Sequence, residues 1–370
     1  MKSLLRSTMA LAVLCLALPM AHAQIKIGQT AGFTGAAASG VKEGTDGAKV
    51  YIDSVNAHGG VNGQQIQLIS MDDKFEPKLA AANAKALIDQ GVVALFFSRG
   101  TPHSQAILPL LTEYGVPLIA PSTGAMALHK PVHPWVFNVR ATYQKEAERA
   151  VKHLMSVGME RIALLQADDS FGDDGAIGAL TGFAAVGKQP VVRIKYDRSK
   201  PDFGPVVPQI IKAEAQAVVF IGSGTHVVDG VAQLRAAGSQ AQIVTLSNNA
   251  SSGFIKALKD NARGMVVSQV FPSERSMAVP LVKELYDLLG GKPGTEVTPA
   301  MLEGFAGAKV LVEGLKRAGK NPTRERIRAA METFKRVDIG GLEISYSATN
   351  HTGLDYSDLS IIGPDGKFRR

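Results

Sequence analysis

The chain is predicted to be an α/β protein with doubly wound parallel sheets, covered by helices on both faces. Three observations predict this. Short β-like runs alternate with helical stretches along most of the 370 residues, the pattern of βα units. The strand segments are solidly apolar, as in VVALFF (92–97) and RIALLQ (161–166), which is how strands buried on both faces read. The helical segments carry a 3.6-residue period: in 147–157 the apolar set is Ala147, Ala150, Val151, Leu154 and Val157, a core stripe.

The first 23 residues stand apart. Lys2 and Arg6 precede an apolar run from Met9 to Leu18, Pro19 breaks it, and Ala21-His22-Ala23 puts small residues where a signal peptidase reads. The run is far shorter than the ~20 residues of a spanning helix. It reads as a secretory signal peptide cut between Ala23 and Gln24, which points to a Gram-negative periplasm. The only cysteine, Cys15, lies inside this leader and follows Leu14, not the small residue a lipoprotein signal wants. The mature chain then has no disulfide, zinc–thiolate site or thiol nucleophile. Of the net charge of +7, Lys2 and Arg6 supply two units and the rest is dispersed. Lys367, Arg369 and Arg370 form only a small basic tip, which does not suggest nucleic acid as a partner.

In the mature part, strands are expected at 25–30, 65–71 and 92–97, followed by helices near 42–56, 77–90 and 102–114. A strand at 117–120 ends in a loop, and the pattern then restarts with strands at 161–166, 191–196, 217–221, 242–246 and 265–269. The last third differs. Two helices are expected near 299–318 and 323–334, then a hairpin of 337–339 and 342–346 turning at Gly340-Gly341. A final strand at 359–362 precedes the turn Gly363-Pro364-Asp365-Gly366.

Strand 25–30 runs into GQTAGFTG, which could be taken for a phosphate-binding loop. Its spacing is GxxxGxxG, not GxGxxG, and the acidic pair Asp72-Asp73 comes far later than the ~20 residues a dinucleotide site expects. No Walker lysine follows. The glycines are read instead as a sharp turn at the carboxyl edge of a sheet, where open α/β sheets bind ligands, and no cofactor is expected.

The other strand ends are polar in the same way. Ser98-Arg99-Gly100-Thr101-Pro102 reads as a helix start with Thr101 as cap and Pro102 at the first helical position, suited to an anionic ligand group. Ser122-Thr123-Gly124, Asp168-Asp169-Ser170-Phe171, Ser223-Gly224-Thr225 and Ser247-Asn248-Asn249 follow four more strands. Each could be an ordinary cap or turn; together they outline a cleft between two sheets.

At this point the chain resembles the periplasmic substrate-binding proteins of ABC transporters, in the branch of the leucine/isoleucine/valine-binding protein. The carriers are IKIGQTAGFTG, VNAHGGVNGQQIQL, DDKFEPKLAAANAKALI, YGVPLIAPSTGAMAL, VFNVRATY, RIALLQADDSFG and EGFAGAKVLVEGLKRAG, in that order over nearly all of the mature chain. The resemblance implies two lobes, 24–141 with 271–346 and 142–270 with 347–370, joined by three crossovers near 141–142, 270–271 and 346–347. It implies a small-molecule ligand between the lobes, a membrane permease as partner, a monomer, and no chemistry.

Carried over by position, the resemblance gives Thr101 to a ligand carboxylate and the Ser122 backbone to an ammonium. Gly124 stands where the family has a carboxylate-binding threonine, with Thr123 beside it. Phe171 is the second-lobe aromatic without a hydroxyl. Asn248 falls where an acidic residue pairs with the ammonium, and Gly40 where an aromatic walls the site, which should enlarge the pocket. The carboxylate end is partly kept and the ammonium partner lost. The expected ligand is a small organic or aromatic carboxylate or amide, with a branched-chain amino acid as the other possibility. Arg99 either charges the site or lies solvated at the rim, and Asp168 or Asp169 could still serve an ammonium.

Two other classes remain. An exported hydrolase would need a nucleophile or metal motif, and neither GxSxG nor HExxH occurs. His129 and His133 are separated by Pro131, which spoils a helical metal pair. Asp168, Asp169, Asp173 and Asp174 cluster around a turn, as helix-start charge does. A ligand sensor for a membrane receptor would share the fold.

Overall fold

The computed structural model describes residues 24–370; the leader, its cut and Cys15 lie outside the described residues. The first sheet holds β1 (Ile25–Ala31), β2 (Ile66–Asp72), β3 (Ala94–Phe96), β4 (Leu118–Ile119) and β5 (Val136–Phe137). Their order is β2-β1-β3-β4-β5, and every pair is parallel. α1 (Ala38–Ala57), α2 (Pro77–Asp89) and α3 (Thr101–Tyr114) connect them.

The second sheet begins after α4 (Tyr143–Ser156) with β6 (Ile162–Ala167), β7 (Val192–Tyr196), β8 (Ala217–Ile221), β9 (Gln242–Thr245) and β10 (Val266–Gln269). Helices α5 (Ser170–Ala184), α6 (Val207–Lys212), α7 (Gly224–Ala236) and α8 (Ser252–Leu258) lie between these strands. The chain then supplies α9 (Pro280–Leu288), α10 (Pro299–Ala318), α11 (Arg324–Met331) and the hairpin β11 (Val337–Asp338) with β12 (Glu343–Ile344). Finally β13 (Asp358–Ile362) and β14 (Phe368–Arg369) return to the second sheet as antiparallel strands, with β14 at its edge, giving the order β7-β6-β8-β9-β10-β13-β14.

Three main cores follow from this path, one of them packing Leu87 of α2 and Leu111 of α3 against Leu95 and Leu118 of the first sheet. Ile27, Phe96 and Phe137 of the first sheet pack with Phe305, Leu311, Phe334 and Tyr346 from the last third. Leu164, Phe220 and Val244 of the second sheet pack with Phe183, Phe254, Ile362 and Phe368. The alternation and the hairpin stand as the sequence predicts. The expected helical stripe of α4 is buried at Ala147, Ala150, Val151 and Leu154, but Val157 ends the helix and is 55% exposed. β5, α9 and β14 are additional elements. β5 and β14 are two residues long and α9 only nine, below the length at which a period can be read.

The glycines after β1 do not form an anion cradle. Gly32 lies against the Phe75 backbone and Gly35, at φ 83°, lies against the carbonyl of Lys74. Thr34 donates to Asp72 through both its backbone N–H (3.2 Å) and its hydroxyl (2.7 Å). The loop is small so that two loops at the sheet edge can touch.

Helices α1 and α10 cross at backbone contact. A Cβ on Gly304 would sit 1.7 Å from the carbonyl oxygen of Gly44, and one on Gly47 would sit 2.1 Å from that of Met301. Neither backbone can yield without separating the helices. Gly304→Ala is therefore expected to cost about 3 kcal/mol, the upper end of ordinary overpacking. Urea unfolding of the variant checks this; an unchanged midpoint would show that the crossing is looser than described.

Candidate functional site

β3 and β4 leave the first sheet through Phe97 and Ala120, both left-handed at φ 54° and 52°. Such conformations cost of order 1–3 kcal/mol in non-glycine residues and gather at functional sites. Beyond the kinks the two segments stay paired, with Ser122 N donating to Ser98 O at 2.7 Å and Arg99 bridged to Ser122. This carries Arg99 and Ser122 to the junction between the lobes.

Arg99 is not solvated at a rim; it is 5% exposed. Its Nη1 donates to Ser122 Oγ at 2.6 Å and its Nη2 donates to the backbone oxygen of Asn248, in the other lobe. Among the described residues it has no carboxylate partner. The room expected over Gly40 is taken by this guanidinium: a Cβ on Gly40 would lie 3.2 Å from Arg99 Nη2.

Ser122 Oγ in turn donates to Glu303 Oε1 at 2.8 Å, and Glu303 lies 3.7 Å from Arg140 Nη1. Arg140 has no access to water. Its Nη2 donates to Glu146 and, at 2.7 Å, to Ser247 Oγ, and its guanidinium lies 4.6 Å from the Tyr143 ring centre. The second oxygen of Glu146 accepts from Ser247 N at 2.9 Å and from the Ser268 hydroxyl. Burial works against the charge on Arg140, but Glu146, Tyr143 and Glu303 more than offset it and hold its pKa above the ordinary guanidinium value.

The remaining sequence-predicted residues divide. Thr101 and Thr123 are both buried and share a hydroxyl hydrogen bond of 2.8 Å. Thr101 is the first residue of α3, not its cap; Gly100 takes that place at φ 96°. Phe171 is buried and edge-on to Tyr143, with ring centres 4.9 Å apart. Asn248 Nδ2 donates to Gly222 O at 3.0 Å, while its Oδ1 is buried without a partner. Gly124 lies against the first crossover, its oxygen accepting from Tyr143 N at 2.8 Å; a side chain there would meet Ala141 O at 2.6 Å, so no threonine fits.

Two residues point elsewhere. Thr225 has an exposed side chain and meets the other lobe only through its backbone N–H, which donates to Ala36 O at 3.3 Å. Asp168 is exposed and paired with Lys195 at 2.9 Å, so it does not enter the buried cluster. Asp169 caps α5 by accepting from Phe171 N and Gly172 N, and pairs with Arg198 at 2.8 Å.

Sequence reading missed Arg140, Tyr143, Glu146 and Glu303. Glu303 had a signal: an acidic residue beside the glycine contact face of a mostly apolar helix needs a buried partner. Arg140 and Glu146 had none, since charges six residues apart read as an ordinary solvated segment.

The lobes also meet outside this cluster. Glu43 of α1 accepts from Ser252 N (3.0 Å), Ser252 Oγ (3.0 Å) and Gly253 N (2.8 Å) across the junction. Arg198 lies 5.0 Å from the Phe75 ring centre. At the mouth a cavity of about 590 Å³ remains between Phe75, Pro102, Asp168, Arg198 and His226.

Arg140→Met would leave Glu146 buried without its cation, and a loss of about 3–5 kcal/mol is expected. Calorimetric unfolding checks this; a loss below 1 kcal/mol would mean that water reaches the pair. The buried histidines predict acid sensitivity. Burial lowers the pKa of His129 to about 4 and of His103 to about 4, below the ~6.5 of an unfolded chain. The unfolded state then takes up protons first, so stability present above pH 6.5 is lost as pH falls toward 4. Asp73, raised by burial to about 6, acts in the opposite sense, as do Asp174 and Glu274, also raised by burial, but His133, His226 and His351 are lowered by burial as well and add to the histidine effect. The melting temperature is expected to fall between pH 6.5 and 4.5, and less steeply in His129→Leu. An equal slope in that variant would rule His129 out as a source.

A family model of the periplasmic binding proteins matches residues 24–358. The chain is 27% identical over 339 residues to the Leu/Ile/Val-binding protein BraC3 of Rhizobium johnstonii, covering 90% of this chain and 89% of that one. A substrate-binding periplasmic protein from Ralstonia solanacearum matches with a TM-score of 0.86 and 29% identity, over 93% of this chain and 99% of its own. A possible leucine/isoleucine/valine-binding protein from Rhodopirellula baltica matches with a TM-score of 0.87 and 25% identity, over 96% and 98%. With two α/β lobes meeting over a polar cluster of strand ends, this chain belongs to the periplasmic binding protein family, in the leucine/isoleucine/valine-binding branch, and is a substrate-binding protein, not an enzyme.

Proposed function

We propose that the chain is the solute-binding component of an ABC importer, acting in the periplasm on a small carboxylate. Lobe 1 (24–141 with 271–346) and lobe 2 (142–270 with 347–370) close about the crossovers, and the closed form docks on a membrane permease. Arg99 carries the reading. A guanidinium buried between the lobes without an acid partner is costly, and a ligand carboxylate relieves that cost. Ser122, Thr101 and Thr123 add hydroxyls around the anion, Phe171 and Tyr143 offer an apolar wall, and Asn248 Oδ1 accepts from a ligand donor. With the lobes in contact Arg99 is covered, so the ligand reaches it when they part.

One observation favours a second reading. Glu303 Oε1 sits on the Ser122 hydroxyl, close to where a ligand ammonium is expected, and could hold the amine of a branched-chain amino acid. Against it, Glu303 already faces Arg140.

A pair of probes separates the two. 4-Methylpentanoate is leucine without its amine. A ligand at 100 times its Kd stabilises by about 2.7 kcal/mol, so thermal shift reports binding. We expect 4-methylpentanoate or benzoate to raise the melting temperature, and Arg99→Leu to weaken that binding about 10- to 100-fold. If leucine alone stabilises and Glu303→Gln abolishes the effect, the amino-acid reading holds and the carboxylate reading fails.

A further inference from the structure

One strap of the second lobe is gripped by the first. It is the segment between β9 and α8 that carries Asn248. Arg99 Nη2 donates to the backbone oxygen of Asn248, and Ala300 N donates to that of Ala250 at 3.1 Å. The Ser39 and Ser251 hydroxyls lie 3.3 Å apart.

Glu43 makes the densest of these contacts. Its one carboxylate takes the Ser252 N–H at 3.0 Å, the Ser252 hydroxyl at 3.0 Å and the Gly253 N–H at 2.8 Å. Both N–H groups belong to the first turn of α8 and have no acceptor within their own helix. Ser251 caps α8 from inside its own lobe, but it takes only the Phe254 N–H, at 3.2 Å. The two earlier N–H groups are left to Glu43. The close approach depends on Gly253, where a Cβ would lie 2.6 Å from the Ser39 Cβ. Bonds to a carboxylate are about twice as strong as neutral ones, and Glu43 is half-buried, so water screens it only in part.

We propose that Glu43 is the latch of the closed form: it caps α8 from the opposite lobe, keeps the lobes together in part of the ligand-free population, and holds Asn248 against Arg99. It is a positioning residue, acting on the cleft through the strap. All three bonds join protein groups of opposite lobes, so they form on closure and break on opening. The proposal rests on the reading that the lobes part and close, and not on which ligand the cleft takes.

Double electron–electron resonance tests it on the ligand-free chain. Cys15 is the only native cysteine and is replaced by serine. Spin labels go on Lys78→Cys and Lys200→Cys, both exposed, beside Pro77 and Ser199 on the two sides of the mouth cavity. The chain with Glu43 intact is expected to show a short and a long distance, for closed and open lobes. Glu43→Ala should lower the ratio of short to long about tenfold, and Glu43→Gln, which keeps one acceptor oxygen, by less. If Glu43→Ala does not fold, Glu43→Gln decides by the same ratio. Absence of the short distance with Glu43 intact, or a ratio that the substitution leaves unchanged, overturns the proposal. No ligand enters the measurement, so its outcome is independent of whether the cleft binds a carboxylate.

Discussion

The geometry of the junction rests on a guanidinium and a carboxylate that water cannot reach. Arg140 and Glu146 are stable there only if their remaining donors and lone pairs are met. Hydrogen bonds from distant parts of the chain meet most of them, through Ser247 after β9 and Ser268 in β10, while Arg140 Nη1 makes no hydrogen bond and faces the charge of Glu303 in α10 at 3.7 Å. Satisfying one ion pair therefore fixes where two strands of the second lobe and a helix of the first stand relative to the first crossover. The pair adds little net stability over an apolar core, because its desolvation is expensive. What it imposes is position, since a displaced partner would leave a bare charge.

The second constraint is the glycine contact between α1 and α10. Gly44 and Gly304 touch through their backbones, which brings the neighbouring residues of both helices to the junction. Glu303, next to Gly304, reaches Ser122, and Glu43, next to Gly44, reaches Ser252 and Gly253 of the second lobe. Larger residues at the crossing would hold the helices apart and pull both carboxylates away from their donors. The packing of the first lobe and the polar contacts between the lobes are thus one arrangement.

The layers of the fold were legible because they depend on local composition. Apolar strands such as VVALFF, helix periods such as that of α4, and the Gly340-Gly341 hairpin each declare themselves within a few residues. β5 and α9 did not, being too short to show a period. In the cleft, Thr101, Ser122, Thr123 and Phe171 were singled out because strand ends are predictable places for ligand groups, and all four are buried. Side-chain direction was not predictable: Asp168 turns out to Lys195 and Thr225 to solvent. Arg99 was singled out, but its burial depends on Asn248, 149 residues away. Arg140 and Glu146 stayed hidden for the same reason, since nothing near them in sequence names Ser247 or Ser268.

The contact between Arg99 and Asn248 bears on selectivity. With the lobes together, the guanidinium is satisfied by a neutral hydroxyl and a neutral carbonyl. A ligand must offer something better than these two partners. A carboxylate does, because ion–ion hydrogen bonds to a guanidinium are about twice as strong as neutral ones and can form in parallel pairs. An alcohol or a simple amide exchanges one neutral partner for another and gains little. If the ligand is the proposed carboxylate, the protein's own contact acts as a threshold, holding Arg99 against weak binders while leaving it open to an anion. Asn248 would then contribute twice, its backbone oxygen setting that threshold and its unpartnered Oδ1 receiving a donor from a ligand that passes it.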